Sequence, residues 1–159
     1  MTRTRKILGV LAIVLAVLIG AGAYMLSHND PCEPGPALAD GTPRMKAFVY
    51  RCYGAPEVVK LEEVEKPTPK DDELLVKVHA ASVNPLDWHF MRGEPYVMRV
   101  SAGFGRPADI TLGVDFSGTV EAVGKNVTRF KPGDAVFGGR NGAFAEYLRV
   151  REDRVVALK

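Results

Sequence analysis

Several residue patterns are missing from this chain, and each absence narrows what the chain can do. No G-x-G-x-x-G motif and no phosphate-binding loop occurs, so a complete nucleotide site is not recognisable. Basic residues form no stripe: of the 21 Lys and Arg residues, 18 remain when Arg3, Arg5 and Lys6 are set aside, against 19 acidic residues. Nucleic-acid binding requires clustered positive charge. A nucleic acid is therefore not an expected partner.

Cysteine is scarce as well. The 159 residues include only Cys32 and Cys52, and neither belongs to a C-x-x-C pair. A disulfide between them would require an oxidising compartment, and the sequence alone does not establish it. We therefore interpret them as two unrelated thiols.

One long apolar segment runs from Ile7 to Leu26, with Tyr24 as its only ionisable side chain. About 20 helical residues span roughly 30 Å, the thickness of a bilayer core. Three basic residues precede the segment and the next is Arg44, which predicts a cytoplasmic N-terminus and an extracytoplasmic globular part. We expect a single-pass membrane anchor. A cleaved signal peptide is the main alternative, because Ala21-Gly22-Ala23 has a small-x-small pattern, and a buried soluble helix is a third.

The chain is expected to have four parts. Residues 1–6 form a cytoplasmic flank and residues 7–26 the transmembrane helix. Residues 27–44 are rich in Pro, Gly and Ala without apolar periodicity, which predicts a flexible linker. Residues 45–159 form the globular domain.

The globular part has mainly β patterns. Period-two alternation or short apolar runs predict strands at 45–50, 58–64, 74–81, 119–123, 135–137, 143–150 and 155–158. Only Pro85–Arg92 has a helical pattern, with proline at a first-turn position. Pro132-Gly133 fits a type II turn. Short strands separated by frequent turns predict a small barrel or sandwich.

Four segments carry a family resemblance. They are the M-K-A start at 45–47, A-S-V-N-P-x-D at 81–87, G-x-D-x-S-G at 113–118, and G-D-x-V-x-G at 133–138 followed by G-A-F-A-E-Y at 142–147. Together they resemble the GroES-like catalytic domain of the medium-chain dehydrogenase/reductase superfamily, in its zinc-independent quinone oxidoreductase branch. The resemblance implies a partly open β barrel with a short helix. It also implies that the nucleotide-binding Rossmann half is absent from this chain, which would be inactive without it.

The resemblance also bears on metal binding. Zinc-dependent relatives have a Cys where this chain has Asn84, and a His-Glu pair where it has Val114-Asp115. A carboxamide and a valine do not replace a thiolate and an imidazole. The structural zinc lobe of those relatives would follow Phe137, where residues 138–142 contain no cysteine. No zinc is therefore expected.

The site residues follow from the same resemblance. Asn84 would lie beside the nicotinamide of NADPH or NADH, and Tyr96 would donate to the substrate oxygen or to the cofactor. Asp87 is counted with Asn84 and His89 among the cofactor-binding residues, and its expected structural task is to cap the helical turn. His89 occupies a position where relatives often have a cofactor-contacting tyrosine, and a solvated side chain is the alternative there. Asp115 is expected to accept hydrogen bonds from backbone N–H groups of the next turn.

Two functions follow. The first is a membrane-anchored oxidoreductase that transfers a hydride to a small-molecule quinone or enone. The second is a non-enzymatic, membrane-tethered binding module. Either function is compatible with a homo-oligomer. The outward orientation conflicts with the first function, because reduced nicotinamides are held in the cytoplasm.

Overall fold

The computed structural model describes residues 3–158, so Met1, Thr2 and Lys159, at the ends of the predicted flank and domain, lie outside the described residues. The α-helices are α1 (Arg3–Ser27), α2 (Pro85–Arg92) and α3 (Arg99–Ala102). The strands are β1 (Arg44–Tyr50), β2 (Val59–Glu65), β3 (Glu73–Ser82), β4 (Asp115–Val123), β5 (Ala135–Gly139), β6 (Tyr147–Arg151) and β7 (Val155–Ala157). Short 3-10 helices lie at Pro56–Val58, Tyr96–Met98 and Glu152–Arg154.

These strands form two antiparallel sheets. β1 pairs with β2, and the larger sheet has the order β6-β3-β4-β5-β7. Isolated bridges from Ala47 to Ala145 and from Val49 to Thr111 connect β1 to the segments that precede β6 and β4. Within residues 3–158 the outer strands β6 and β7 are not paired with each other, so the sheets do not close. The prediction of a mainly β fold with a short helix at 85–92 is confirmed, and the four-residue α3 is a second helix that the sequence pattern did not predict.

The main core lies on the larger sheet. It contains Leu74, Val76, Phe116, Val120, Phe130, Val136, Ala143, Leu148, Val150 and Val155. Leu75 is buried too, which strict alternation along β3 does not predict. The pairing register with β4 shifts between Leu75 and Val76, so the simple two-face pattern is interrupted there.

The predicted strand at 143–150 is shorter in the structure and begins at Tyr147. The preceding residues use their backbone groups elsewhere. The N–H groups of Ala143 and Phe144 donate to the carbonyls of Gly113 and Leu112, and Phe144 accepts from Phe48. This crossing segment joins the small sheet to the loop before β4.

The apolar N-terminal segment is a single helix. None of its described residues is buried, and α1 is long and apolar enough to cross a membrane, a test that a signal sequence also passes. The residues after it contact the domain directly: the N–H of Asp30 donates to the carbonyl of Gly105 over 2.9 Å, and Asn29 forms a bridge to the same glycine. This is a difference from the flexible linker that the composition predicts.

A disulfide also ties this segment to the domain. Cys32 is bonded to Cys52, with their Cα atoms 4.9 Å apart, within the normal range for a disulfide. Cys32 is exposed, whereas Cys52 is buried directly after β1. The interpretation of the two cysteines as unrelated thiols is therefore wrong. Sequence spacing could not pair them, because the contact depends on how residues 28–36 lie on the domain.

Candidate functional site

Asn84 begins α2 and forms a reciprocal cap with Asp87. The Asn84 Oδ1 accepts from the Leu86 N–H over 2.9 Å, and the Asp87 Oδ2 accepts from the Asn84 N–H over 2.8 Å. Pro85 occupies the first turn, and Gly93 ends the helix at φ +63°. A side chain at Gly93 would also meet the Tyr53 ring. The helix is therefore specified at both ends.

The other end of the Asn84 carboxamide is held by Asp115. The Asn84 Nδ2 donates to the Asp115 Oδ2 over 2.9 Å, and the Ser82 Oγ donates to the same oxygen over 3.2 Å. Asp115 lies opposite Ser82 in the pairing of β3 with β4. The expected bonds from Asp115 to the next turn are not found among the described residues; its partners are these two side chains.

Asp87 is 4% exposed, and its second carboxylate oxygen, Oδ1, is buried without a hydrogen-bond partner in the described part of the chain. A buried carboxylate oxygen without a partner loses its hydration. The reciprocal cap therefore uses one oxygen of Asp87 and leaves the other against the protein interior. The predicted capping role of Asp87 is confirmed.

His89 lies in the last turn of α2. Its Nδ1 is 2.7 Å from the Glu94 carbonyl oxygen, and its ring makes an edge contact with Trp88. A carbonyl only accepts, so Nδ1 carries the hydrogen and donates. In the neutral ring, Nε2 is then the acceptor. His89 is half-buried rather than freely solvated.

Tyr96 is 45% exposed in the loop after α2, and its ring lies beside the Arg99 guanidinium, whose Cζ is 4.8 Å from the ring centroid. Arg99 is 1% exposed and packs on the Tyr53 ring as well, at 4.4 Å. Burial raises the pKa of Tyr53, and the Arg99 charge opposes that rise. The two tyrosines thus share one cation.

Arg99 also joins two separate segments through three backbone carbonyls. Its Nε donates to Gly93 over 2.8 Å, its Nη1 to His28 over 2.9 Å, and its Nη2 to Arg92 over 3.4 Å. A buried guanidinium is tolerated only when its donors are satisfied in this way. Arg99 therefore fixes the loop that carries Tyr96 against both α2 and the segment after α1.

A cleft of about 850 Å³ lies on one side of α2. It is lined mainly by apolar side chains, among them Phe48, Leu61, Val83, Trp88, Met91 and Phe144. Asp87 lines it, whereas Asn84 and Tyr96 do not. The predicted site residues therefore fall into two groups: Asn84 and Asp87 form the cap at the start of α2, whereas His89 in its last turn and Tyr96 in the following loop lie at the other end of the helix. No hydrogen bond joins Asn84 to Tyr96 in the described range.

Two residues whose contacts the sequence did not predict complete this arrangement. Asp115 orients Asn84; its motif was noticed, but its partner lies on another strand. Arg99 carries no motif at all, and only its burial in the fold reveals its role. Within residues 3–158, no group of three or more His, Cys, Asp or Glu side chains is arranged to hold a metal ion.

Comparison with known proteins places this geometry in a family. Residues 70–159 match the alcohol dehydrogenase GroES-like domain. The quinone oxidoreductase of Sus scrofa is 40% identical over 124 residues, which cover 76% of this chain and 36% of the relative. A zinc-type alcohol dehydrogenase-like protein of Staphylococcus aureus is 44% identical over 97 residues, which cover 58% of this chain and 26% of the relative. The chain thus spans between about a quarter and a little more than a third of the length of the curated relatives it matches.

A solved structure gives the same result. The quinone oxidoreductase from Coxiella burnetii superposes with a TM-score of 0.62 at 31% identity, covering 72% of this chain and 37% of that one. The family match over residues 70–159 includes β3 to β7 and Asn84 of this chain. The chain therefore belongs to the alcohol dehydrogenase GroES-like domain family, in the quinone oxidoreductase-like branch of the medium-chain dehydrogenase/reductase superfamily.

Proposed function

We propose that this chain is the substrate-side portion of a membrane-anchored, zinc-independent oxidoreductase that uses NADPH or NADH to reduce a quinone or an enone. The names of the relatives support the substrate class. The observation that carries the proposal is the fixed carboxamide of Asn84. Activity would require a nucleotide-binding domain in addition to the residues described here.

The orientation of Asn84 follows from its partners. The Asn84 oxygen faces the Leu86 N–H, and its nitrogen faces the Asp115 carboxylate. In the reverse orientation the amide NH2 would face the Leu86 N–H, donor against donor, and the amide oxygen would face the carboxylate, acceptor against acceptor. One N–H of the amide is used by Asp115. The second N–H has no partner in the described residues and is available to an oxygen of a ligand.

This donor set suits a reduced nicotinamide and its substrate. The nicotinamide, when bound, would supply the hydride. Charge then develops on the substrate oxygen, and preorganised donors stabilise that charge. In this chain Asn84 would provide one donor and Tyr96 the other, and the Nε2 of His89 would accept from a cofactor hydroxyl. Asp87 acts through Asn84, because its carboxylate is buried in the cap.

The same residues do not suit a catalytic zinc. Asn84 is engaged as a helix cap, and the Asp115 carboxylate already accepts from Ser82 and Asn84. Zinc in such enzymes takes thiolate, imidazole or carboxylate ligands arranged around one point. We therefore propose hydride transfer without a metal.

We further propose that α1 anchors the domain on the extracytoplasmic side. The basic residues before α1 support this orientation, and so does the Cys32–Cys52 disulfide, because disulfides persist in oxidising compartments. On that side, the reduced cofactor would have to be supplied outside the cytoplasm. A membrane-impermeant thiol reductant applied to sealed cells tests the orientation. Reduction of the Cys32–Cys52 bond supports it, and full protection contradicts it.

The enzymatic proposal is tested on the full-length native protein from the membrane fraction. We expect oxidation of NADPH or NADH in the presence of a quinone or an enone. Asn84→Ser keeps a capping oxygen but loses the amide donors, so we expect kcat to fall about 100-fold. Asn126→Ser is the matched control, because Asn126 also donates to a carboxylate, that of Asp72, but lies outside the site.

Two results would contradict the enzymatic proposal. The first is an Asn84→Ser variant as active as the wild type. The second is the absence of any turnover by the full-length protein, which would favour the non-enzymatic binding module instead.

A further inference from the structure

The residues at the end of α1 would lie at a particular depth in a bilayer that the helix spans. The apolar stretch Ile7–Leu26 spans about 30 Å at 1.5 Å per residue, as much as the hydrocarbon core. Tyr24, at this end, is 63% exposed and stacks on His28. Tyrosine is typical of the boundary between acyl chains and headgroups. If α1 spans the membrane, Ser27 and His28 lie at that boundary.

The loop after α2 is held at the same depth. Its 3-10 helix Tyr96–Met98 contacts α1, and Arg99 donates to the carbonyl of His28, the residue directly after α1. Two residues further on, Asp30 donates to Gly105. These contacts leave no free linker between the helix and the loop, so the loop cannot move far from the boundary.

The surface of this loop is apolar. Val97 is 69% exposed, Val100 65% and Phe104 48%. Between Tyr96 and Gly105 the only charged residue is Arg99, whose side chain is turned into the protein and satisfied there. Three exposed large apolar side chains next to an apolar helix end form a patch of the kind that enters a membrane surface. We refer to Val97, Val100 and Phe104 as the loop patch.

We propose that the loop patch is inserted in the bilayer interface, and that the domain thereby takes a lipid-soluble quinone directly from the membrane. This inference rests on the proposed function, because it requires α1 to be a membrane anchor. The loop patch flanks Tyr96, the proposed donor to the substrate oxygen. Insertion of the patch would place the substrate side of the site at the level where a quinone ring resides. A lipid bilayer is preferred over a protein partner because the patch continues the apolar surface of α1.

Depth-dependent fluorescence quenching tests the insertion. The 159 residues contain Trp88 as their only tryptophan, so Trp88→Phe in this chain provides a dark background. Val97→Trp, and Val100→Trp as a second variant, place a reporter on the loop patch. Val156→Trp is the matched control, since Val156 is also exposed, at 54%, but lies on β7 at the edge of the larger sheet. Each variant is reconstituted into phosphatidylcholine vesicles with or without brominated acyl chains, and flotation of the vesicles is measured in parallel.

We expect the protein to float with the vesicles and brominated lipid to quench both loop reporters about twofold, because interfacial side chains reach 5–10 Å into the acyl boundary. The Val156→Trp reporter should be unaffected. Flotation with no quenching at either loop position would overturn the inference and leave the anchor intact. Failure to float would overturn the anchor in the proposed function, and the inference with it.

A substrate comparison gives a second readout. The full-length native protein in vesicles should reduce a long-tailed quinone faster than a short hydrophilic enal, and Val97→Asp should remove most of that preference while leaving enal reduction unchanged. Faster reduction of the enal by the wild type would overturn the membrane route to the site.

Discussion

The core of the larger sheet and the face that carries the site are stabilised in different ways. In the core, Leu74, Val76, Val136 and Val150 are fully excluded from water, and stability comes from apolar burial shared over many contacts. On the site face, a disulfide, one buried arginine and one reciprocal helix cap hold α2, the loop after it and the segment after α1. The core is therefore expected to unfold cooperatively, whereas single contacts on the site face can be removed while the core stays folded.

The largest effect is expected in the core. Leu74→Ala removes a side chain that is 0% exposed, and should lower the free energy of unfolding by about 2–5 kcal/mol. Leu61→Ala is the matched control, because Leu61 is 59% exposed on β2 and should change it by less than about 0.5 kcal/mol. Urea unfolding of the chain in detergent, followed by Trp88 fluorescence, measures both. Similar losses for the two variants would mean that the core is not where stability resides.

The disulfide is the strongest single link on the site face. Cys32→Ser opens a loop with a sequence separation of 20, and in the chain-entropy model should lower the free energy of unfolding by about 3 kcal/mol. Its local signature should be protease sensitivity of residues 28–43 while the core remains folded. Reductant should reproduce both effects in the wild type and add nothing to the variant. Indifference of the wild type to reductant would contradict the link.

The helix cap is expected to be a weaker link. Asn84→Ala loses the oxygen that accepts from Leu86, and should lower the free energy of unfolding by about 1 kcal/mol. Asn84→Ser retains a capping oxygen and should stay within about 0.5 kcal/mol of the wild type. The same unfolding experiment separates the two variants. Equal losses would show that the bond to Asp115, rather than the cap, stabilises this end of α2.

The smallest change in the free energy of unfolding at neutral pH is expected for a substitution of Tyr50, which is 2% exposed. Burial, with smaller contributions from Tyr53 and Asp109, raises the pKa of Tyr50 above its ordinary value of 10.0. The unfolded chain therefore releases this proton first, and stability should fall as the pH rises above 10.0, by up to about 1.4 kcal/mol per pH unit.

Tyr50→Phe checks this pH dependence, because phenylalanine cannot ionise. The variant should match the wild type at neutral pH and lose less stability in alkaline solution. Urea midpoints measured on both sides of the tyrosine pKa provide the comparison. Parallel curves for the two proteins would show that Tyr50 ionises as freely in the folded state as in the unfolded one.

Regular elements were predictable where local patterns are strong. α2 occupies residues 85–92 as expected, because its signals are local: a capping Asn, a first-turn Pro and a terminal Gly. β1 and β2 agree within a residue, since β1 is mostly a short apolar run and β2 has apolar residues spaced among charged ones. The segment at 143–146 was wrongly assigned to a regular strand, because its backbone bonds are divided among Gly113 and Leu112, strand β1 and strand β3 instead of forming one continuous ladder.

The site was only partly predictable. The motif drew attention to Asn84 and Asp87, and capping chemistry gave the role of Asp87. The partner of Asp115 was missed because Asp115 lies 31 residues from Asn84 along the chain, and only strand pairing brings them together. Arg99 left no signal, since an isolated arginine in a loop is normally a surface residue.

The apolar helix, the strands of the core, the helix at 85–92 and the family could all be inferred from the sequence, because each depends on residues close together in the chain or on a motif read in order. The pairing of Cys32 with Cys52, the orientation of Asn84 by Asp115, and the attachment of the loop to the end of α1 by Arg99 became visible only in the folded structure. Those three depend on groups that are distant in sequence and meet only once the sheets have formed, and no local pattern encodes such a meeting.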